Sequence, residues 1–564
     1  MTGLQQREHW RPTCSMGVLE AVILRSFGPE GGQVLFTRDT GQAMLSRSGT
    51  RILRALHLEH PLARMVVECV LKHSTVTGDG SKTFILLLAS LLREIHTAAS
   101  KEPHVSYSYN SLEATEAATA RHLADKLLAF ALKELDDLIA MEVAPHGCCI
   151  SWEDFSAETH SPAHTNNHVV QKLLASFFHM RLGYVHCAFI SELTCELLNH
   201  WKCIDALPSF ALQFLKNNFP ALHTPVSGFP ITSSRLVEGQ VIHRDFATPC
   251  PQTDHQPVKA VVFTGYLQPR SLNTGDVIVH FSAWTERSLK CIIAHLQSLG
   301  ISVLLSAVKQ SAAVLALATQ AEMCFVECVS EDELSLFAQL SLVNKHLLLF
   351  NRYVHVAFHN SEERVKAKPC SLIICGPGEG QTDQYACAFQ DAIPKRTVQS
   401  NKCTSSYTHN LTDSSTCTSS NLHSLHKCVL QPGCVIPAGG TFEFLLNHAL
   451  LKLSHSCSAS NDTNIGIPVS RLLASALLSV PKQIYSHSPG QFLQTRTRND
   501  MPSKVFRQDL GLESVSCKYQ LLLAVLQCVT SLLWVDTVLR THTALHTQSL
   551  ADASWESTED EAED

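Results

Sequence analysis

The sequence predicts a multidomain chain of α and α/β class, helical toward both ends with a compact α/β unit between. Its length, the helical spacing of apolar residues in the outer parts, and a strand–helix alternation in the middle predict this class. At 564 residues the chain is too long for one ordinary core, so two to four domains are expected. A composition of 45% hydrophobic and 17% charged residues suits a globular protein with a large buried core.

From the N-terminus, Val18, Leu19, Val22 and Ile23 follow helical spacing, and Gly28-Pro29 stops that helix. Val34–Thr37 and Ala43–Leu45, separated by Asp39-Thr40-Gly41, read as a hairpin. Pro61 opens a helix at its first turn, where its missing N–H costs nothing, and Leu62, Met65, Val66, Cys69 and Val70 give that helix one apolar face. Phe84–Ala89 is apolar on every side, which predicts a deeply buried helix, and a long helix is expected over roughly 113–140.

In the middle, strands are expected at Val258–Thr264, Ile301–Ser306 and Met323–Cys328, with helices at Glu286–Gln297 and Ser311–Thr319. That alternation implies a mostly parallel sheet. Residues 396–432 are dominated by Ser, Thr, Asn, Cys and His without a hydrophobic period, so a polar, disordered insertion is expected there. Helices resume beyond it and end in a run from Tyr519 to Leu539.

Charge and cysteine usage exclude several function classes. The formal net charge is -7, and the seven acidic side chains of 551–564 account for all of it. The rest of the chain is near neutral, so no basic footprint for nucleic acid is expected. The acidic end reads as a solvated tail. The 21 cysteines lack the regular framework of a small secreted scaffold, and Glu8, His9, Arg11 and Glu20 interrupt any secretory leader. A soluble, intracellular chain with reduced thiols is expected. The apolar run Leu521–Trp534 is shorter than the ~20 residues of a membrane helix, so no membrane insertion is expected.

Gly78-Asp79-Gly80-Ser81-Lys82-Thr83 stands directly ahead of the buried helix. Glycines let backbone approach phosphate, and a helix N-terminus offers free N–H groups and a positive dipole end. Asp79 could hold a magnesium ion bridging phosphate oxygens, with the Ser81 and Thr83 hydroxyls as further donors. A tight inter-helix turn explains the same residues, and the spacing is not that of a Walker A loop. Ser26-Phe27-Gly28-Pro29-Glu30-Gly31 and Pro437-Ala438-Gly439-Gly440-Thr441-Phe442-Glu443 are two further glycine turns beside helices. Asp391 lies in a polar segment, where surface exposure alone would explain it. Cys403, His409, Cys417, His423, His426 and Cys428 have zinc-ligand chemistry but fit no standard spacing, and a polar insertion rich in Cys and His is the simpler reading.

Taken in order, these segments resemble the group II (CCT-like) chaperonin family. "HLEHPLARMVVECVLKHSTVTGDG", "VIPAGGTFE" and "ESVSCKYQLLLAVLQCVTSLLWVDTVL" match the family's blocks in register, and the resemblance runs from about 15 to 540. Within the family, "SFGPEGGQVLFTRDTGQAMLSRSG" and "LHLEHPLARM" look most like the divergent Bardet–Biedl branch. The resemblance implies a group II chaperonin subunit: a mostly helical equatorial domain from 1–145 and 433–545, a small intermediate domain from 146–215 and 363–395, and an α/β apical domain at 216–362. The polar insertion 396–432 and an acidic tail 546–564 complete that division.

The resemblance also implies ATP and Mg2+. Ser26, Phe27, Gly28 and Pro29 would line the nucleotide, and Gly78, Asp79, Gly80, Ser81 and Thr83 would hold phosphates, with Asp79 on the metal. Gly439 and Gly440 would pack beside the nucleotide, with Glu513 by the ribose. Asp391 would orient the attacking water once domain closure swings it in. Several positions depart from the family pattern: Ser48 stands where an aspartate is usual, Lys82 replaces a hydroxyl, Ala438 replaces a glycine, and Ala386 and Cys387 lie near the places of an arginine and a glutamate. Together these weigh against hydrolysis more than against binding.

The stretch between Pro269 and Gly300 is short for the family's lid-forming apical protrusion. By resemblance, the partners would be other chaperonin-like Bardet–Biedl proteins, CCT subunits and subunits of the BBSome, in the cytoplasm at the cilium or basal body. Two readings stay open: an ATP-binding chaperone assisting assembly of that ciliary complex, and a hydrolysis-deficient scaffold that binds partners without an ATP-driven cycle. An unrelated ATP-dependent metabolic enzyme is disfavoured, because the α/β middle shows no Walker or dinucleotide fingerprint.

Overall fold

A computed structural model describes residues 12–28, 30–37, 41, 43–100, 109–149, 164–202, 208–249, 259–267, 278–340, 345–350, 353–358, 370–400, 433–459, 469–497 and 511–536. The helix α1 (Pro12–Leu24) leads to the hairpin of β1 (Val34–Thr37) and β2 (Ala43–Ser46), paired antiparallel from Val34↔Ser46 to Thr37↔Ala43. Then come α2 (Gly49–Ala55), α3 (Pro61–Thr77), α4 (Ser81–Ala99), α5 (Tyr109–Lys133) and α6 (Leu135–Glu142). The single helix expected over 113–140 is thus two helices that meet at Glu134. Pro61 stands in the first turn of α3 and left-handed Gly78 caps its other end.

The helix α4 is buried without interruption from Phe84 to Leu92. Around it lies a core drawn from both ends of the chain. Met16, Leu19 and Ile23 of α1, Val66 and Val70 of α3, and Leu127 of α5 share it with residues far along the sequence. Those later residues belong to β13 (Cys434–Pro437), α14 (Thr441–Ala459), α15 (Val469–Leu477), α16 (Ser479–Ile484) and α18 (Val515–Leu533). The exposed side of this unit includes α17 (Pro489–Thr497). By length and composition α18 would pass for a membrane span. It runs Val515–Leu533 rather than from Tyr519, and Leu522, Val525, Leu526, Val529 and Leu532 are all buried in the core. Its apolar character is explained by that packing.

Residues 148–400 form the rest. The short β3 (Cys148–Cys149) pairs with β13, which also pairs with β14 (Leu512–Ser514), so one three-stranded sheet ties three distant segments. The helices α7 (His164–Leu182), α8 (Cys187–Lys202), α9 (Pro208–Leu222) and α13 (Glu379–Ser400) pack on a sheet in which β12 (Cys370–Gly376) lies between β4 (His223–Ser227) and β5 (Arg235–Glu238). Hydrogen bonding therefore joins strands of the expected 216–362 segment to a strand of the expected 363–395 segment.

Beyond that unit, β7 (Lys259–Phe263), β8 (Ile301–Ser306) and β9 (Cys324–Val326) form a parallel sheet. It is covered by α10 (Ile278–Ser298) and α11 (Ala312–Gln320), the second capped by Ser311. On the other side lie α12 (Glu331–Leu340) and an antiparallel sheet of β6 (Gln240–Ile242), β10 (Lys345–Phe350) and β11 (Tyr353–Phe358). The parallel middle is as expected from sequence, and the antiparallel addition was not foreseen.

Two expectations need correction. The helix α13 continues to Ser400, five residues into the segment read as a polar insertion; 401–432, with the whole Cys/His collection, lies outside the described residues. Cys324, at the start of β9, is disulfide-bonded rather than a free thiol. The acidic tail also lies outside the described residues.

Because α4 is enclosed on all sides, truncating its centre leaves a cavity that neighbouring helices cannot easily fill. Phe84→Ala is expected to cost about 3–5 kcal/mol, read as a lowered urea midpoint for loss of helical circular dichroism. An unchanged midpoint would mean that α4 does not anchor this core.

Candidate nucleotide site

A cavity of about 160 Å³ opens at the N-terminus of α4, between the shared core and α7. The backbone there is shaped by two left-handed glycines, Gly78 at φ 73° and Gly80 at φ 86°, on either side of Asp79. Conformations of this kind strain residues that carry a Cβ. A Cβ on Gly80 would also approach His73 Nε2 to 3.2 Å and Leu521 Cδ1 to 3.3 Å. Across the cavity, Gly49 lets α2 approach α4, since a Cβ there would stand 2.5 Å from Ser81 Oγ and 2.7 Å from Lys82 Cγ.

Several sequence-predicted residues meet here. Phe27, Asp79, Gly80, Ser81, Thr83, Gly439 and Glu513 line the cavity, as do Ser48, Lys82 and Ala438. Ser26, Gly28, Gly78 and Gly440 are close by but do not line it. The Ser26 carbonyl accepts a hydrogen bond from Lys82 Nζ at 2.5 Å, and the Gly78 carbonyl accepts one from Arg181 Nη2 at 2.5 Å. Gly28 and Gly440 both hold left-handed turns. Pro29 lies outside the described residues. Asp391, on α13, lines a smaller adjoining cavity that shares Ser48 and Arg181 with the first.

The sequence reading missed the side chain on which these pieces converge. Arg181, near the end of α7, is 7% exposed. Its guanidinium forms an ion pair with Asp391, reaches Ser48 Oγ at 3.3 Å, and lies 3.8 Å from Asp79 Oδ1. It also stacks over the Phe177 ring, 4.4 Å from the centroid, while its Nε has no hydrogen-bond partner among the described residues. No local motif marks Arg181; about 100 residues separate it from Asp79 and more than 200 from Asp391.

Two further cations share the cavity. Arg47 is 6% exposed and hydrogen-bonds the Gly31 carbonyl. Burial, reinforced by Arg181 and Arg47, pulls the Lys82 ammonium down to about 7. Burial likewise pulls His73 down to about 4, so it is neutral near pH 7. On the far side, β14 presents Glu513 toward α18. There Lys518 Nζ bridges Glu443 Oε1 at 2.7 Å and Glu513 Oε2 at 3.0 Å. Burial opposes the Lys518 charge, but the two carboxylates outweigh it and hold the ammonium above its usual value.

This donor set suits a phosphate-bearing anion: two buried guanidinium groups, the half-buried Lys82 amine, first-turn amides without intrahelical acceptors, and two serine or threonine hydroxyls. Val480, Ile484 and Leu512 add apolar lining to the cavity, as a flat base would need. The place between Asp79 and Asp391 does not suit a divalent cation, because both carboxylates face the Arg181 guanidinium.

Residues 19–145, which hold the end of α1, α2 to α6 and the Gly78–Gly80 turn, match the TCP-1/cpn60 chaperonin family. Over that segment the chain is similar to the family. The chain is 26% identical to the "BBSome complex assembly protein BBS10" of Homo sapiens and to that of Mus musculus, over 93% of its own length and 95% of theirs. It is 29% identical to the thermosome subunit alpha of Thermoplasma acidophilum, over 22% of each chain.

Lysine 518 is the counter-ion of a carboxylate that is only 1% exposed. Lys518→Met is expected to cost about 3–5 kcal/mol, measured by urea denaturation; a loss below about 1 kcal/mol would mean water reaches Glu443. Lys82 should show the opposite sign. Its folded value lies below that of the unfolded chain, so the cost of burying its charge is full below pH 7 and fades as pH rises toward 10. Lys82→Met should therefore raise the melting temperature, by more at pH 6.5 than at pH 9.5. An equal shift at both pH values would show that Lys82 is not desolvated.

Proposed function

We propose that the chain is a chaperonin-like, ATP-binding assembly factor for the BBSome. In this reading, the core shared by the chain ends is an equatorial domain, the α7–α9, β12 and α13 unit an intermediate domain, and the β7–β9 unit an apical domain. The likeness along 93% of the chain to proteins named for BBSome complex assembly carries the proposal. The cavity gives it a physical route. Its walls come from the shared core on one side and from α7 on the other, so a ligand there contacts two units at once and biases their relative placement.

Within that site, the α4 amides, Ser81, Thr83 and the three cationic groups would bind the phosphates, and the apolar lining would take the base. Arg181 would hold Asp391 against the core rather than leave it to orient water, so turnover would be slow at most. Other chaperonin-like Bardet–Biedl proteins, CCT subunits and BBSome subunits would be the partners, in the cytoplasm near the cilium or basal body.

The test is loss and restoration in ciliated cells. Removing the chain should lower the fraction of BBSome subunits that co-sediment as one complex, and re-expressing it should restore that fraction. Unchanged co-sedimentation without the chain would sink the reading.

A further inference from the structure

The cavity's charge balance points to something the family resemblance does not imply. Arg47, Lys82 and Arg181 bring three cationic groups to its phosphate end, against Asp79 in that cavity and Asp391 in the adjoining one. Both acids are engaged by one guanidinium, which pairs with Asp391 and lies 3.8 Å from Asp79. A dication at this spot would displace that guanidinium and meet the like charge of Lys82 and Arg47, which line the same cavity. An anion meets the reverse situation. It relieves the crowding among the cationic groups that line the cavity.

We propose that this cavity binds a polyphosphate group without a divalent cation, Arg181 occupying the place between Asp79 and Asp391 that a bridging metal would otherwise take. The inference rests on reading the cavity as the nucleotide site and specifies how that site meets phosphate charge. Arg181 is a fixed internal counter-ion: it neutralises the two aspartates and presents its remaining face to the ligand. The binding needs no magnesium, and added magnesium competes by sequestering the polyphosphate.

Isothermal titration of the full-length protein with ATP, and separately with inorganic triphosphate, in EDTA and in excess magnesium, tests this. Both probes should bind in EDTA, at least as tightly as in magnesium. Lys82→Met and Arg47→Gln should each weaken binding in EDTA by about tenfold or more, with a cooperative melting transition retained as the check on folding. Binding that appears only with magnesium would overturn the inference and leave the nucleotide reading standing. ATP and triphosphate binding equally in EDTA would keep the inference and sink the nucleotide reading, because base and ribose would then contribute nothing. Binding in EDTA that neither variant weakens would place the anion elsewhere and overturn it.

Discussion

A helical stretch buried on every side has to be surrounded, and α4 contains one from Phe84 to Leu92. Burial of about 25 cal/mol per Å² of apolar surface favours enclosing it completely. Neither end of the chain encloses it alone. Segments near residues 16–143 and 434–532 close around it together, which joins distant parts of a long chain in one core and leaves the middle to form separate units.

That enclosure also decides where chemistry is possible. The side of α4 is dry, so its open N-terminus is the place where backbone N–H groups face a cavity. The Gly78-Asp79-Gly80 turn, the Gly49 approach and the Ser26 carbonyl all gather at this end. The β3–β13–β14 sheet adds Glu513 and Gly439 from far along the sequence. A cavity assembled this way has walls drawn from the shared core and from α7.

Arg181 is the costly component. Burying a guanidinium is unfavourable unless charge and hydrogen bonds compensate, and here two carboxylates, one carbonyl and an aromatic face do so. It links α7, α13 and the α3–α4 turn through one side chain. The same contacts that stabilise it also occupy Asp391, so the device that ties the units together counts against hydrolytic use of that aspartate.

Much of the fold was legible in the sequence. Pro61 and Gly78 bounded α3, the unbroken apolar run announced α4, and strand–helix alternation announced the parallel β7–β9 sheet, because these signals act over a few residues. The glycine turns around Asp79 and Gly439 were legible for the same reason: positive φ is a local demand. The break at Glu134, the antiparallel β6–β10–β11 sheet and the pairing of β12 with β4 and β5 depend on partners distant in sequence, and no local pattern specifies them. Arg181, Arg47 and Lys518 look like ordinary surface cations in the sequence. Tertiary packing alone decided that they would be buried together at one cavity, because desolvation and Coulomb interactions depend on distances in space rather than along the chain.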